Sequence, residues 1–380
     1  MVTIFIPREQ RPGETRVAAT PESVRRMVKQ GLEVMVERGA GTAAFYPDSG
    51  YEAAGGRLVD DAAAGWSTAD AVFKVNAPEP GEGAGQRPGS LLVAFLAPYQ
   101  NLDLVRRLAD GGISSIAMEL IPRITRAQSM DALSSQASIA GYKAVLIAAG
   151  RLGKYFPLLM TAAGTIPPAR VVVMGAGVAG LQAIATARRL GAVVEVSDVR
   201  AVVKEQVESL GGKFIELPEM PSGEGSGGYA KEMGEEFLRR QRAIVKERIA
   251  ASDVVITTAL VPGRRAPVLV TADMVEGMRA GSIIVDLAVE QGGNCELSRP
   301  NEEVVHQGVL ILGPSNLPGT LPHDASNLYA RNVLTLFQTL CKKDGGIVID
   351  TADEVIAGSL LTHGGKVHHG PTAALLEVPA

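Results

Sequence analysis

The feature that most constrains the fold is a glycine-rich segment, GAGVAG at 175–180, set between an apolar run at 171–174 and a helical apolar pattern at 181–190. A second apolar run, Val193–Ser197, follows and ends at Asp198. A strand, a glycine loop, a helix, a second strand and an acidic residue about 20 positions after the loop make up the dinucleotide-binding unit of doubly wound sheets. We therefore predict a parallel α/β sheet with a nucleotide site at this loop.

Each glycine of the segment has its own predicted role. Gly175 would permit the tight turn after the strand, Gly177 would let the backbone approach a pyrophosphate, and Gly180 would let the helix pack close to the strand. The phosphates would lie at the helix N-terminus, where free N–H groups and the helix dipole attract anions. The alternative is a glycine-rich turn that binds nothing, and the intact strand and helix context disfavours it.

The acidic residue predicts which nucleotide is bound. Asp198 would accept hydrogen bonds from the adenosine ribose hydroxyls, and its charge would repel a 2′-phosphate, which favours NAD(H) over NADP(H). Arg200, two positions on, could serve a 2′-phosphate and softens this preference. Ala259 and Leu260 follow the apolar run at 254–257, where they would pack against adenosine or ribose, although an ordinary buried strand end fits that spacing equally well.

Apolar strand-like runs alternate with helical patterns along the 380 residues, which is typical of α/β folds. At roughly 150 residues per domain, this length predicts two domains. We predict two Rossmann-like doubly wound domains with parallel sheets and a cleft between them. The first is discontinuous, 1–134 with 324–380, and the second, 135–323, binds the nucleotide. Two sequential domains are the alternative, because the return of the C-terminal helix rests only on the second domain already having its full set of strands.

The local patterns predict individual elements. Thr20 is expected to cap a first helix, with Pro21 at its first position. A long helix from Asp131 to about Leu152 would bridge the two domains, and another would span about Ser326–Leu340. A loop at 218–228 is long enough to be a functional flap. The predicted strands are Thr3–Ile6, Glu33–Glu37, Ala71–Val75, Leu91–Leu96, Ser115–Met118, Val171–Met174, Val193–Ser197, Val254–Thr257, Ser282–Asp286 and Val309–Leu312.

Composition argues against several classes of function. The chain has 37 Lys and Arg against 41 Asp and Glu and only 4% aromatic residues, so a large nucleic-acid surface has no electrostatic or stacking support. Its two cysteines and five histidines lack metal-ligand spacing, so we expect no metal site. The longest apolar tract, about 171–187, is broken by glycines and falls short of the ~20 residues that span a bilayer, so we expect no direct membrane insertion.

A polar segment at 118–136, between a predicted strand and a predicted helix, is the second candidate site. It contains two Arg, two Gln, one Asp, one Thr and three Ser. Asp131 and Ser134 lie one helical turn apart and share a face, so they could bind one carboxamide, the carboxylate accepting and the hydroxyl donating or accepting. A solvated surface loop has a similar composition and is, from the residues alone, an equal alternative.

Three stretches give the sequence a close resemblance to a known family: AMELIPRITRAQSMD at 117–131, MTAAGT at 160–165 and GYAKEM at 228–233. The chain resembles the NAD(H)-binding component, domain I, of proton-translocating nicotinamide nucleotide transhydrogenase in its separate soluble-subunit form. The resemblance implies a homodimer in which NAD(H) exchanges hydride with NADP(H) bound on a partner subunit, coupled to proton translocation. It also implies a cytoplasmic protein, held at the inner membrane through membrane-embedded partner subunits that carry the NADP(H) site.

The resemblance also implies roles for particular residues. Gly228 and Tyr229 would belong to a mobile loop that closes on the nucleotide, and Gln241 and Leu260 would make further contacts. The four residues expected to handle the nicotinamide are Arg123, Gln128, Asp131 and Ser134. The full set of expected cofactor contacts is Ile124, Thr125, Gly175, Ala176, Gly177, Val178, Gly180, Asp198, Val199, Arg200, Gly228, Tyr229, Gln241, Ala259 and Leu260.

Alanine dehydrogenases are similar over the same length and supply the main alternative, a self-contained NAD-dependent oxidoreductase. Their pattern places an Arg, a Lys, a His and an Asp around pyruvate; here Arg16 and Lys74 stand at the first two positions, but Phe95 and Glu290 stand at the others. Loss of the imidazole removes the general acid–base that amine–ketone chemistry needs near neutral pH. We therefore expect Arg16 and Lys74 to be structural, paired with local acids. A non-enzymic NAD(H)-binding module is the remaining alternative.

Overall fold

The chain forms two units, which the computed structural model describes over most of their length. Unit 1 contains residues 1–136 and 318–380, and unit 2 contains residues 137–317. The boundaries predicted from the sequence, 134/135 and 323/324, lie a few residues from these. The structure describes residues 1–216, 235–261, 263–341 and 346–377.

Strands account for the centre of each unit. Every strand predicted from an apolar run is present, with bounds that shift by at most one residue. In chain order the strands are β1 Thr3–Ile6, β2 Glu33–Glu37, β3 Arg57–Val59, β4 Ala71–Asn76, β5 Leu91–Phe95, β6 Ser114–Ala117, β7 Leu159–Thr161, β8 Gly164–Ile166, β9 Arg170–Met174, β10 Val193–Ser197, β11 Lys213–Phe214, β12 Val254–Thr257, β13 Ile283–Asp286, β14 Glu303–His306, β15 Val309–Leu312, β16 Leu360–His363 and β17 Lys366–Val367.

The helices alternate with the strands, as an α/β fold requires. In chain order they are α1 Pro21–Lys29, α2 Asp48–Ala53, α3 Ala62–Thr68, α4 Leu102–Asp110, α5 Ala132–Arg151, α6 Val178–Arg189, α7 Lys204–Ser209, α8 Glu235–Ala250, α9 Ala272–Glu276, α10 Pro322–Leu340, α11 Glu354–Ser359 and α12 Gly370–Glu377. In the part of the chain that the structure describes, none of these helices has the length and apolarity to span a bilayer.

Unit 1 is built on an eight-stranded sheet in the order β17-β16-β6-β5-β4-β1-β2-β3. β1 to β6 pair in parallel, as predicted, but β16 is antiparallel to β6 and β17 is antiparallel to β16. A purely parallel sheet is therefore the wrong prediction at this edge. The physical reason is the two-residue turn Gly364-Gly365, at φ +57° and +74°, which is too short for a crossover and returns the chain alongside itself.

Unit 2 is built on a seven-stranded sheet in the order β11-β10-β9-β12-β13-β15-β14. Here too the edge departs from the parallel prediction, because β14 is antiparallel to β15. Gln307 and Gly308, both at positive φ, form the tight turn that joins them. A separate hairpin of β7 and β8 was not predicted either.

The central strands of both sheets are buried on both faces. β12 and β13 are buried at every position, and so is β4, including Lys74 and Asn76. Parallel strands covered on both faces have near-continuous apolar sequences, which is why the apolar runs alone located them. The buried polar residues Thr257 and Asp286 are the last residues of β12 and β13.

The strand order places a switch point in each unit. In unit 2, β9 lies between β10 on one side and β12 on the other, so the chain leaves the β9 edge in opposite directions. In unit 1, β1 lies in the same way between β2 and β4. Ligands of open α/β sheets bind at the carboxyl ends of the strands that flank such a point. The two loops to inspect are therefore those after β9 and β12 in unit 2, and those after β1 and β4 in unit 1.

Two helix starts illustrate how local sequence is used. The predicted cap of α1 is confirmed: the Thr20 hydroxyl accepts from the Ser23 N–H, and the Ser23 hydroxyl accepts from the Thr20 N–H at 2.9 Å. By contrast, α10 begins at Pro322, four residues before the predicted start at Ser326. Proline lacks only an N–H that the first turn of a helix leaves unpaired, so it is well suited to that position.

Helix α5 packs closely on the helix that follows the glycine loop. A Cβ at Gly141 would overlap the carbonyl oxygen of Ala179, in the first turn of α6. A Cβ at Gly150, on the same helix, would have no neighbour within 4 Å. Gly141 is therefore required by the close approach of two backbones, and Gly150 is not.

We expect Gly141→Ala to destabilise unit 2 by about 2 kcal/mol or more, because the added methyl group forces the two helices apart. The matched variant Gly150→Ala should leave stability unchanged or slightly raised, since alanine favours a helix more than glycine does. Denaturant unfolding of both variants measures the difference. Equal midpoints for the two would contradict the close contact.

Candidate functional site

The glycine loop after β9 is shaped by its own chain at two of its three glycines. Gly175 has φ +102°, and a Cβ there would lie 2.6 Å from the Thr258 hydroxyl, which donates to the Gly175 carbonyl at 3.1 Å. A Cβ at Gly180 would overlap that same carbonyl oxygen of Gly175. The tight turn and the close packing of α6 therefore both exclude a side chain.

Gly177 differs from the other two glycines. Its φ of −76° and ψ of −170° are extended backbone that any residue adopts, and its Cβ position has no heavy atom within 4 Å. The chain itself thus gives no reason for glycine here. Gly177 also caps α6 without any side-chain hydrogen bond, and Val178 is exposed. This leaves an open approach to the first N–H groups of a twelve-residue helix, the arrangement that binds phosphate groups.

Asp198 lies at the end of β10, directly beside the loop. Its side chain is 6% exposed, and one carboxylate oxygen accepts from the Ala176 N–H at 2.7 Å. The other accepts from the backbone and the side chain of Arg200, at 2.8 and 3.0 Å. The guanidinium also donates to the first oxygen at 2.9 Å, so Arg200 is held by the carboxylate. Val199, between them, is half-buried.

The loop after β12 is held by an asparagine that the sequence analysis missed. Asn294 is fully buried; its side-chain oxygen accepts from the Ala259 N–H, and its amide nitrogen donates to the Ala259 carbonyl, both at 2.9 Å. The same nitrogen donates to the Pro267 carbonyl at 2.8 Å. The next residue, Leu260, is 42% exposed. The clamp therefore fixes the backbone from which an apolar side chain projects beside the glycine loop.

A buried carboxylate at the end of β13 supports this clamp. Asp286 accepts from the Thr257 hydroxyl, the Ala288 N–H and the Cys295 N–H, each at 2.9 Å, and from Ser298. It thus joins the end of β12 to the segment that carries Asn294. The sequence signal for this segment is a pair of glycines, at 292 and 293, both at positive φ.

The predicted unit 2 residues therefore meet at one edge of one sheet. The glycine loop, the Asp198 segment and the loop at 258–260 follow β9, β10 and β12, which are neighbours in the sheet. Gly228, Tyr229 and the side chain of Gln241 lie outside the described residues. In the described ranges, no group of three or more His, Cys, Asp or Glu is placed to hold a metal ion.

In unit 1, the polar segment after β6 forms 3₁₀ turns that lead into α5. Arg123, Thr125 and Gln128 are exposed, and Ile124 is half-buried. These side chains lie on the surface of the loop rather than in the core.

Asp131 and Ser134 are brought together at the start of α5. The Ser134 N–H donates to one Asp131 oxygen at 2.9 Å, and its hydroxyl donates to the other at 2.6 Å. Asp131 thus caps the first turn of the helix, and both side chains are half-buried. The shared face proposed from spacing is present, and the two groups are hydrogen-bonded to each other.

Residues distant in sequence anchor this loop. Arg126 forms two hydrogen bonds of 2.8 Å with Asp353, which lower the pKa of that carboxyl to about 2. Asn332, on α10, donates to the Ser129 carbonyl and accepts from the Ser135 hydroxyl, both at 2.8 Å. None of these partners was predicted from the sequence.

A second acid, Glu119, fastens the beginning of the same segment. Its carboxylate accepts from the N–H groups of Leu96, at 2.9 Å, and of Ala97, at the end of β5. Burial raises the pKa of Glu119 to about 7, against the lowering effect of these backbone donors. Ala97 has φ +45°, a conformation that an L-residue adopts only when its surroundings impose it.

The switch point of unit 1 is occupied by paired charges. Arg16 donates to both oxygens of Glu14, at 2.8 and 2.7 Å, and to Gln136 at 2.9 Å. Burial acts to raise the pKa of Glu14, but the hydrogen bonds and charge of Arg16 outweigh it and lower the pKa to about 2. Lys74, fully buried, contacts Glu82 at 2.7 Å and Glu9 at 3.4 Å. The expectation that Arg16 and Lys74 pair with local acids is confirmed.

Beside this cluster, aromatic rings stand where alanine dehydrogenases have an imidazole. The Phe95 ring centroid lies 5.3 Å from that of Tyr329, and the Tyr329 hydroxyl donates to the Lys74 carbonyl at 2.7 Å. Burial, chiefly, keeps the pKa of Tyr329 well above its usual value, so that hydroxyl stays protonated. Phe95 has no proton to give or accept, so it cannot serve as a general acid or base.

We expect Glu14→Gln to lower the free energy of unfolding by about 3 kcal/mol at pH 7, because it leaves the Arg16 guanidinium buried without its carboxylate. A carboxyl with a lowered folded-state pKa stabilises above its unfolded-state pKa, and this stability is lost as the pH falls toward 2. Urea unfolding between pH 7 and pH 2 should show a smaller loss of stability for the variant. Glu33→Gln, which breaks an exposed pair with Arg57, should change stability by less than about 1 kcal/mol; similar effects of the two variants would contradict the assignment.

Two family models together match nearly the whole chain. The model described as "Alanine dehydrogenase/PNT, N-terminal domain" matches residues 5–140, and "Alanine dehydrogenase/PNT, C-terminal domain" matches residues 144–370.

Known proteins of both kinds are similar to the chain over nearly its whole length. An NAD(P) transhydrogenase subunit alpha of Rhodospirillum rubrum, in the form of the first of its separate chains, is 50% identical over 374 residues, 96% of this chain and 97% of the relative. Alanine dehydrogenase of Halomonas elongata is 31% identical over 377 residues, 97% of this chain and 95% of the relative. A solved transhydrogenase structure from Sinorhizobium meliloti is 47% identical, covers 96% of this chain and 99% of that chain, and superposes with a TM-score of 0.87.

Proposed function

This chain belongs to the alanine dehydrogenase/PNT family, and we propose that it is the NAD(H)-binding component of a proton-translocating transhydrogenase. In this function it presents NAD(H) for hydride transfer to or from NADP(H) on a partner subunit. The observation that carries the proposal is the full-length similarity to transhydrogenase alpha subunits, which is much stronger than the similarity to alanine dehydrogenases. Phe95, where a dehydrogenase would have its imidazole, supports the same choice.

NAD(H) is proposed to bind at the edge of the unit 2 sheet. Three features support this: the open approach at Gly177, the uncapped N-terminus of α6, and the buried carboxylate of Asp198. Exposed Val178 and Leu260 offer apolar contacts at the ends of neighbouring strands. The proposed contacts are Ile124, Thr125, Gly175, Ala176, Gly177, Val178, Gly180, Asp198, Val199, Arg200, Gly228, Tyr229, Gln241, Ala259 and Leu260.

The nicotinamide end is proposed to be handled by the unit 1 loop. The nicotinamide supplies the hydride chemistry itself, so the protein groups have only to bind and orient it and to exclude water. Ser134 donates to Asp131, which leaves lone pairs on both groups to accept the amide protons of a carboxamide. Exposed Arg123 and Gln128 add a positive charge and a second amide at the loop surface. The four proposed nicotinamide-positioning residues are Arg123, Gln128, Asp131 and Ser134.

Assembly with other chains is included in the proposal. The hairpin of β7 and β8 carries Met160, 81% exposed, and follows exposed Tyr155 and Leu158. Apolar side chains of this size are normally covered, and a second copy of the chain in a homodimer would cover them. We propose that the protein is cytoplasmic and peripheral to the inner membrane, held there by membrane-embedded subunits that bind NADP(H).

The direct test is a reconstitution with the membrane subunits of a transhydrogenase. We expect the chain to be required for NADPH to reduce an acetylpyridine analogue of NAD⁺, with the appearance of the reduced analogue followed by absorbance. The chain alone, given NADH, pyruvate and ammonium, should oxidise no NADH above background. An enzymatic rate in that control would make the chain a self-contained alanine dehydrogenase, and failure to support reduction with the partner would make it a binding module.

Nucleotide selectivity gives a second test. Asp198→Asn keeps an acceptor for the Ala176 N–H but removes the charge, which also releases Arg200 from its ion pair. We expect NADH binding to weaken and NADPH binding to strengthen, each by about tenfold, because the free guanidinium can then pair with a 2′-phosphate. Ligand fluorescence measures both affinities. Glu195→Gln, on the same strand but paired with Arg248, should leave the NADH/NADPH ratio unchanged, and an unchanged ratio in Asp198→Asn would refute the assignment.

A further inference from the structure

We propose that Asn332, on α10, is a positioning residue for hydride transfer. It would act by fixing the loop that carries the nicotinamide-positioning residues, so the inference rests on the proposed function. Asn332 lies about 200 positions from that loop in sequence, and its own side chain points at loop atoms rather than at solvent. It is therefore proposed to act through the loop and not on the nucleotide.

The two hydrogen bonds of Asn332 bracket the residues that matter. Its amide nitrogen donates to the carbonyl of Ser129, the residue after Gln128. Its amide oxygen accepts from the hydroxyl of Ser135, the residue after Ser134. A single planar amide group thus sets the separation between the 3₁₀ turn and the first turn of α5.

The chemistry of the contact requires an amide. One partner is a carbonyl, which needs a donor, and the other is a hydroxyl that already donates. Asparagine meets both needs with two atoms of one group, and its side chain is 8% exposed, so water cannot easily replace either bond. An aspartate would retain the bond from Ser135 but would place a carboxylate oxygen against the Ser129 carbonyl.

The other anchors of the loop lie outside this bracket. Arg126, before Ser129, is paired with Asp353, and Gln136, after Ser135, is bonded to Arg16. These anchors hold the ends of the segment, whereas Asn332 spans its middle. We therefore expect loss of Asn332 to loosen the orientation of residues 128–134 while the ends stay attached.

The experiment compares Asn332→Asp, Asn332→Ala and Ser135→Ala in the reconstituted transhydrogenase. Because an error of about 1 Å in the position of reacting groups lowers rates by up to about a hundredfold, we expect kcat to fall by about tenfold to a hundredfold in both Asn332 variants. Ser135→Ala, which leaves the Ser129 bond in place, should have a smaller effect. NADH affinity of the isolated chain should stay within about threefold of wild type, because the proposed adenosine and phosphate contacts are unit 2 residues.

The control is Thr335→Ala, one turn along α10, where the hydroxyl donates to the Arg331 carbonyl of its own helix; its kcat should equal that of wild type. Wild-type kcat in the Asn332 variants would overturn the proposal, and so would losses of kcat, NADH affinity and thermal stability in parallel, which indicate a merely structural residue. If Asn332→Ala does not fold, Asn332→Asp and Ser135→Ala still decide. An inactive wild type would instead refute the proposed function itself.

Discussion

The constraint on which the rest of the structure depends is that both sheets are covered on both faces. A strand buried on two sides cannot carry polar groups along its length unless each is paired, so polar chemistry collects where the strands end. Asp198, Thr257 and Asp286 all stand at or just beyond strand ends in unit 2. In unit 1, buried Lys74 sits near the end of β4, with carboxylates on either side of it. Each switch point is consequently the region of its sheet where charge is concentrated.

The two switch points use that concentration differently. In unit 1 the cations Arg16 and Lys74 are already neutralised by acids of the same unit, and the neighbouring aromatic ring of Phe95 offers no proton. In unit 2 the loop after β9 presents free backbone and an open space at Gly177. The internal pairing of one site and the openness of the other fit a subunit that binds a nucleotide but has no separate substrate chemistry of its own.

Much of this was readable from the sequence, and the failures have physical causes. Local patterns sufficed for the parallel strands, the cap at Thr20 and the glycine loop, since each depends on residues close together in the chain. The antiparallel strand β14 was missed because its residues are half-buried or exposed and so leave no apolar run. Asn294 and Asn332 were missed because their partners lie 35 and up to 203 positions away, and a single asparagine gives no sign of what it will meet after folding. Nor did any local pattern indicate that Arg200 would be held by Asp198.

The open space at Gly177 separates two pressures on this protein that usually act together. Gly175 and Gly180 are fixed by folding, so a chain that loses either one is removed by quality control before its chemistry matters. Gly177 is constrained by its visitor alone, because its backbone would accept an alanine without strain. Copies that drift at this position would remain folded, abundant and able to assemble while carrying no cofactor. Such copies would compete for partners, so the most permissive glycine of the loop is the one whose loss would do the greatest harm in a mixed population.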